Sequence, residues 1–232
     1  AKFAAFDPEH YAELLESAGH IIESFGGIFL TMVGLKYFFD EGKEVHWIKT
    51  VEEYLADWGS IEAIEVALGL TILGLVAFFV PEHATGILFA GIIAIVLFIA
   101  SQGLASSFAV SAEHAAAAGF ALFMYLNVLD AAFSLDSVVG AFALSTQLPI
   151  IIVGLGIGAY FVRALTVYMV RAGTLANLLY IEHGAHWAIL GLAAAMLANL
   201  FVDVPEPITG LVGLLFVGGA YVSSLRSMRA IS

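Results

Sequence analysis

The sequence LNVLDAAFSLDSVVGAFALS, residues 126–145, places two aspartates inside a long apolar stretch. Asp130 and Asp136 are its only charged residues. Each would cost about 2.5–3.5 kcal/mol at the centre of a membrane-spanning helix, so such acids usually face a cavity or a partner. The stretch therefore predicts a membrane protein with a polar site inside it.

The composition of the whole chain favours the same class of protein. Hydrophobic residues make up 61% of the 232 residues and charged residues only 12%, which is far from the usual soluble range. The net charge of −12, with only 8 Lys and Arg, argues against nucleic acid as a partner and favours cations. Because the sequence has no cysteine, disulfides, thiolate metal sites and cysteine nucleophiles are excluded.

Seven apolar stretches have the length of roughly 20 residues that a spanning helix needs. They lack the strict alternation of barrel strands, and an open sheet could not satisfy its backbone in lipid, so helices are predicted. We expect an all-α polytopic transmembrane helix bundle of about seven spanning helices, forming a single integral membrane domain over 1–232. The predicted spans are 20–39, 62–80, 86–105, 116–135, 148–170, 185–202 and 207–225.

Basic residues are distributed unequally between alternate connections. One set of connections holds only Lys2. The positive-inside rule therefore places the 40–60 loop, the 171–184 loop and the C-terminus in the cytoplasm. This predicts a multi-pass protein of the bacterial inner membrane, although a thylakoid or other organellar membrane fits the same pattern. The other set holds Lys43, Lys49, Arg171, Arg226 and Arg229.

The cytoplasmic segment 40–60 contains an amphipathic pattern in VEEYLADW, residues 51–58. Apolar or aromatic residues recur at i, i+3, i+4 and i+7, with acids on the opposite side, which predicts a helix lying in the membrane interface. Anchoring is the favoured role of this helix, and a binding surface is the alternative. The residues of the apolar stripe are Val51, Tyr54, Leu55 and Trp58.

The polar residues of the 126–145 stretch fit a site for a divalent cation. On an ideal helix Asn127, Asp130 and Ser134 share one face. Asp136 lies about 240° further round than Asp130, so both carboxylates can meet one ligand only if the helix is discontinuous near Ser134. Carboxylate, carbonyl and hydroxyl oxygens suit Mg²⁺ or Mn²⁺. Alternatively, Asp136 sits near a helix end, caps a neighbour and is partly hydrated.

A second polar cluster opens the predicted span at 185–202, in the sequence YIEHGAHWAI. His183 and His186 are spaced to face one site, and Glu182 can join them from the adjacent turn. The cluster fits a metal-ligand or proton-relay role, or simple anchoring at the interface. Arg163 is the candidate intramembrane counter-charge for an acid, unless it extends to the cytoplasmic face.

No enzyme activity is expected, because a glycine-rich phosphate loop, an HExxH motif and a GxSxG elbow are absent from the sequence. No tightly bound cofactor is expected either.

Three stretches of the chain resemble the TerC superfamily of integral membrane proteins, and in particular a bacterial branch of unknown function. Their order and spacing extend the resemblance over most of the chain. The resemblance implies tellurium resistance or export of manganese and other divalent cations. The stretches are FGGIFLTMVGLKYFFDEGKEVHWI at 25–48, LDAAFSLDSVVGAFALS at 129–145 and TLANLLYIEHGAHWAI at 174–189.

The acidic motif of that superfamily implies which residues form the site. Asp130 fills the first acidic position and Asp136 the second. Phe133 and Ser134 lie between them, and Ser137 stands where asparagine is common. The resemblance also implies two related halves, each with such a motif, whereas this chain has only the second. We therefore expect it to be the C-terminal part of a longer protein.

The leading hypothesis is a secondary transporter that exports Mn²⁺ or a similar divalent cation, with a proton as a candidate counter-ion. Its expected ligands are Asp130, Ser134 and Asp136, with Asn127 on the same face. The alternative is a non-transporting membrane scaffold in a metal or tellurite stress response or in membrane-protein assembly, with 40–60 as its working surface. Besides lipid, the expected partners are a second copy of the chain or stress-response proteins.

Overall fold

The computed structural model describes residues 18–40, 42–43, 45–109, 119, 123–124, 126–127, 148–171 and 178–231. Within these residues the regular structure is entirely helical, so the predicted all-α fold is confirmed. The described helices are α1 (Gly19–Phe38), α2 (Lys49–Trp58), α3 (Ile64–Phe79), α4 (Ala84–Ala109), α5 (Leu148–Arg171), α6 (Ile181–Asn199) and α7 (Glu206–Ile231).

Four of the described helices, α1, α4, α5 and α7, are long and apolar enough to cross a membrane. The apolar helix α3 has 16 residues, and α6 has 19 but opens with polar residues. Six of the seven predicted spans thus correspond to described helices. The seventh, 116–135, lies largely outside the described residues. The remaining helix, α2, is the predicted short helix of the 40–60 segment.

Helix α1 is the centre of the bundle. It packs against α6, α4 and α3, and α7 packs on the far side of α6. Every residue of α1 from Gly26 to Gly34 is buried. Phe29 lies fully inside and meets Phe98 of α4 edge to face, with ring centroids 6.2 Å apart. The apolar core therefore surrounds the middle of α1.

Glycines allow α6 to approach its two neighbours closely. A Cβ on Gly34 of α1 would overlap Leu190 of α6. On the other side of α6, a Cβ on Gly184 would overlap Ala220 of α7 and lie 2.8 Å from the carbonyl oxygen of Phe216. Small residues are a common means of close helix packing in membranes. Here they bring α1, α6 and α7 together.

Helix α5 has a different environment. Among the described residues it packs extensively against no other helix, and Ile151 is its one buried residue. Arg163 lies exposed on this helix. Apolar side chains are exposed all round it, as expected of a helix that meets lipid or another apolar helix.

The packed helices α1, α3, α4, α6 and α7 alternate in direction, so the described loops gather at two opposite ends of the bundle. At the 81–85 end, His20 of α1 stacks on His83 with ring centroids 4.3 Å apart. At the 40–60 end, the backbone N–H of Tyr180 before α6 donates to Ser224 Oγ of α7 at 2.9 Å. This grouping agrees with the alternation of loops in the sequence. The assignment of the 40–60 end to the cytoplasm stays a prediction.

Replacing Gly184 by alanine should reduce the stability of the bundle, because the new methyl group would press on backbone atoms of α7. Overpacking of this kind costs about 1–3 kcal/mol. The measurement is thermal unfolding of the purified protein in detergent. Gly154→Ala on α5 is the matched control, since a Cβ there meets nothing within 4 Å. Equal melting temperatures for the two variants would contradict the packing of α6 on α7.

Candidate functional site

The 40–60 segment begins with a turn at the end of α1. The backbone N–H of Gly42 donates to Asp40 Oδ1 at 3.0 Å, and the N–H of Lys43 donates to the Asp40 carbonyl at 3.4 Å. An aspartate that bonds to backbone two residues later is a common turn former. After this turn, α2 carries Glu52 into the bundle.

Glu52 is the most deeply placed charged residue in the described part of the chain, with 2% of its surface exposed. Its Oε2 accepts hydrogen bonds from His183 Nδ1 at 2.8 Å and from the backbone N–H of Trp47 at 2.9 Å. Its Oε1 accepts from Trp187 Nε1 at 2.8 Å and from the N–H of Ile48 at 3.2 Å. Four donors therefore converge on one carboxylate.

These four bonds explain how a charge is kept inside the bundle. Burial alone would raise the pKa of Glu52, but the hydrogen bonds from Trp187, Ile48 and Trp47 outweigh it, so the pKa is lowered. The carboxylate is therefore ionised at neutral pH. A carboxylate has about four lone-pair positions, and all of them are used here. Glu52 is thus a structural acceptor, with no position left for a metal ion.

The position of Glu52 corrects the expectation that the acids of α2 lie on its solvent side. Glu53 and Asp57 are exposed as predicted, but Glu52 is buried. The apolar residues Val51 and Tyr54 are exposed instead, at 42% and 60%. The physical reason is that hydrogen bonds to α6 offset the burial of the charge, whereas an exposed apolar face suits contact with lipid.

The two histidines predicted as a cluster flank one aromatic ring. His186 stacks on Tyr37 with ring centroids 3.6 Å apart and planes at 4°, and His183 meets the same ring edge to face at 5.5 Å. The Nδ1 of His186 bonds to the backbone carbonyl of Glu182 at 2.9 Å. Both imidazoles are therefore fixed through Nδ1, since both partners are acceptors.

The predicted cluster of Glu182, His183 and His186 does not form a metal site by itself. Glu182 is exposed and reaches His186 only through its backbone carbonyl. No group of three or more His, Asp or Glu side chains in the described part of the chain is arranged to hold a metal ion. The buried partner of His183 is Glu52, which lies 131 residues away in the sequence.

A cavity of about 650 Å³ lies beside this cluster at the 40–60 end. Its lining is rich in polar side chains from four parts of the chain. One of them, Lys36, pairs with Glu65 Oε1 at 3.3 Å and so joins α1 to α3. The polar lining comprises Lys36, Tyr37, Asp40, Ser60, Gln102 and His186.

A smaller cavity of about 350 Å³ occupies the 81–85 end. The stacked pair His20 and His83 lines it together with Glu23, Asn199 and Asp203. The bundle therefore has a polar cavity at each end, and the apolar core around α1 lies between them.

The main predicted metal ligands, Asp130, Ser134 and Asp136, lie outside the described residues. Asn127 is described, and its Nδ2 donates to the Phe123 carbonyl at 2.7 Å, one turn earlier. For Arg163, exposed on α5, the role of counter-charge stays a prediction.

Sequence reasoning missed Glu52, Lys43 and Tyr37 as members of the cluster around His183. One signal was available for Glu52, which stands four residues after Ile48, the residue that precedes α2. A helix-start acid that reaches back to the N–H of the residue before the helix resembles the acid of a capping box, which stands three residues after the cap, whereas Glu52 stands four residues after it. For Tyr37 and Lys43 the linear sequence carries no comparable signal, because their contacts depend on the turn at Asp40.

Apolar helices around a buried carboxylate–imidazole pair define the chain as a helical bundle of the membrane type. It belongs to the family described as Protein of unknown function (DUF475), whose model matches residues 1–231. No curated protein matches the chain, and no solved structure does.

Replacing Glu52 by glutamine should loosen the 40–60 segment. An amide can accept on only one of its two ends, so two of the four donors would face an NH₂ group. A hydrogen bond to a charged group contributes about 1.5–3 kcal/mol, which predicts roughly 10–100-fold faster amide hydrogen exchange at Trp47 and Ile48. Exchange followed by mass spectrometry measures this directly.

Glu53→Gln is the matched control for that experiment, because Glu53 is the next residue, is exposed and forms an exposed ion pair with Lys49 at 3.7 Å. Exposed pairs contribute little, so exchange in this variant should equal that of the unaltered protein. The same exchange rates in both variants would contradict the role given to Glu52.

Proposed function

We propose that this chain belongs to a secondary transporter that exports a divalent metal cation, with Mn²⁺ as the first candidate. The observation that carries the proposal is the presence of Asp130 and Asp136 in the apolar stretch 126–145. Ser134 supplies a hydroxyl ligand, and Asn127 an amide oxygen.

Energetics favour a cation as the partner of these acids. Two ionised aspartates in a spanning segment would cost roughly 5–7 kcal/mol on insertion scales. A divalent cation that binds both carboxylates offsets this burial, and protons can replace it when it leaves. Exchange of a divalent cation for protons is therefore the chemistry that this pair supports best, and oxygen-rich ligands favour Mn²⁺ or Mg²⁺.

The cavity at the 40–60 end supports the proposal as a route of access. Asp40, Ser60 and Gln102 line it and carry side-chain oxygen atoms, which suits a hydrated cation.

A non-transporting scaffold is the second candidate, and the exposed face of α2 is what favours it. Val51 and Tyr54 are available there for a protein partner as much as for lipid. The two candidates differ in the role of the aspartates, because a scaffold that works through α2 needs neither Asp130 nor Asp136.

Asp130→Asn and Asp136→Asn should each abolish export, because an amide cannot replace the charge that binds a divalent cation. The measurement is manganese content under manganese stress, in cells that lack their own exporter and express the full-length protein. The unaltered protein should lower cellular manganese, and neither variant should. Asp57→Asn is the matched control, since Asp57 is exposed on α2.

Membrane insertion and the amount of each variant are checked by fractionation, so that loss of protein is not counted as loss of transport. If both variants lower manganese as well as Asp57→Asn does, the transporter proposal is wrong. Capture of a protein partner that depends on Val51 and Tyr54 would then support the scaffold.

A further inference from the structure

His20 and His83 form a contact between two chain segments at the 81–85 end. His20 is the second residue of α1, and His83 directly precedes α4. Their rings stack with centroids 4.3 Å apart and planes at 17°. His20 also lies on the backbone of α4, because a Cβ on Gly86 would stand 3.1 Å from its Nε2 atom. The imidazole pair therefore joins the start of α1 to the start of α4.

The pair is accessible to water and to protons. His83 is exposed, His20 is half-buried, and both line the 350 Å³ cavity. Imidazoles ordinarily titrate at about pH 6.5, so the charge on such a pair can change within the physiological range of pH. Each proton that binds alters the charge of the stack.

The charged groups around the pair come from several elements. Glu23 of α1 and Asp203, which follows α6, line the same cavity, and the described lining contains no Lys or Arg. Glu82 lies next to His83 in the turn and is exposed. The helix ends beside the cavity oppose each other, since α1 and α4 begin there and α3 and α6 end there. The carboxylates therefore decide the local field, and they favour one positive charge on the pair.

One proton and two protons have different effects on the stack. A charged imidazole is attracted to the face of a neutral aromatic ring, so a single proton is compatible with the contact. Two charged rings with centroids 4.3 Å apart repel each other. The second proton therefore binds more readily once the rings have separated, and by linkage a fall in pH favours the separated form.

The geometry of the pair suits protons better than a metal ion. A metal binds imidazole along the nitrogen lone pair, which lies in the ring plane, at about 2.0–2.1 Å. The two ring planes are stacked and within 17° of parallel, so they do not meet within that distance of the nitrogen atoms. Both rings consequently cannot bind one metal ion in this arrangement.

We propose that the His20–His83 stack is a pH-dependent closure of the 81–85 end of the bundle. With no proton or one proton on the pair, the rings hold the turn before α4 against the start of α1. With two protons they separate, the turn moves away from α1, and the 350 Å³ cavity opens further to water. The inference concerns this end of the bundle alone and does not rest on the proposed function.

The test is amide hydrogen exchange of the full-length protein in detergent, measured by mass spectrometry at pH 7.5 and pH 5. Three amides report on the turn, since the N–H groups of His83, Ala84 and Ile87 donate to backbone carbonyls at 3.3, 3.4 and 3.0 Å. After correction for the intrinsic dependence of exchange on pH, their protection should fall roughly tenfold at pH 5, because the rings repel each other and the ring contact is lost.

Two substitutions remove the second charge and keep an aromatic ring. His83→Phe should show equal corrected protection at both pH values, because a proton on His20 then lies against a neutral ring. His20→Phe should do the same. His46→Phe is the matched control, since His46 lies in the 40–60 segment, and its fall in protection should equal that of the unaltered protein.

A fall in protection that persists in either His20→Phe or His83→Phe would overturn the inference, because the response would then come from other groups, such as Glu23 or Asp203. Equal protection at both pH values in the unaltered protein would also contradict it. If His20→Phe fails to fold, His83→Phe decides alone, since residue 83 is exposed and its replacement leaves the packed interior unchanged.

Discussion

The buried carboxylate of Glu52 is the interaction on which the 40–60 end depends. A charge removed from water costs several kcal/mol unless it is fully hydrogen-bonded, and Glu52 meets this condition only when α2, Trp187 and His183 are in place together. Trp187 in turn lies against Phe38 of α1 and Phe216 of α7, at 4.6 and 5.9 Å between ring centroids. One satisfied charge therefore fixes the short helix and three long ones relative to each other.

The sequence allowed most of the fold to be predicted, because long apolar runs have few alternatives in a bilayer. The predicted exposure of Glu52 was wrong, because helical periodicity grouped this acid with the exposed Glu53 and Asp57. Helical periodicity predicts which side of a helix faces solvent or lipid. It does not predict that Glu52 accepts a hydrogen bond from His183 on α6, which lies 131 residues away in the sequence. The histidines of α6 were recognisable as polar residues in an apolar context, but their carboxylate partner was hidden by that separation.

The structure separates two kinds of polar group that look alike in the sequence. The carboxylate of Glu52 uses its acceptor positions for hydrogen bonds within the protein, and its bond with His183 orients that imidazole. Glu52 therefore fixes the positions of the residues around it. Lys43 is the opposite case, because its Nζ atom is buried and has no hydrogen-bond partner among the described residues.

The most direct measurement is a double-mutant cycle between Glu52→Gln and Trp187→Phe, using the free energy of unfolding in detergent. Phenylalanine keeps an aromatic ring at residue 187 and removes the indole N–H that donates to Glu52 Oε1 at 2.8 Å. It also removes part of the ring, and the cycle cancels the packing loss that does not involve Glu52. If the hydrogen bond holds α2 on α6, the two changes should be non-additive by about 0.5–3 kcal/mol. Additive effects would contradict the contact, and with it the central position of Glu52.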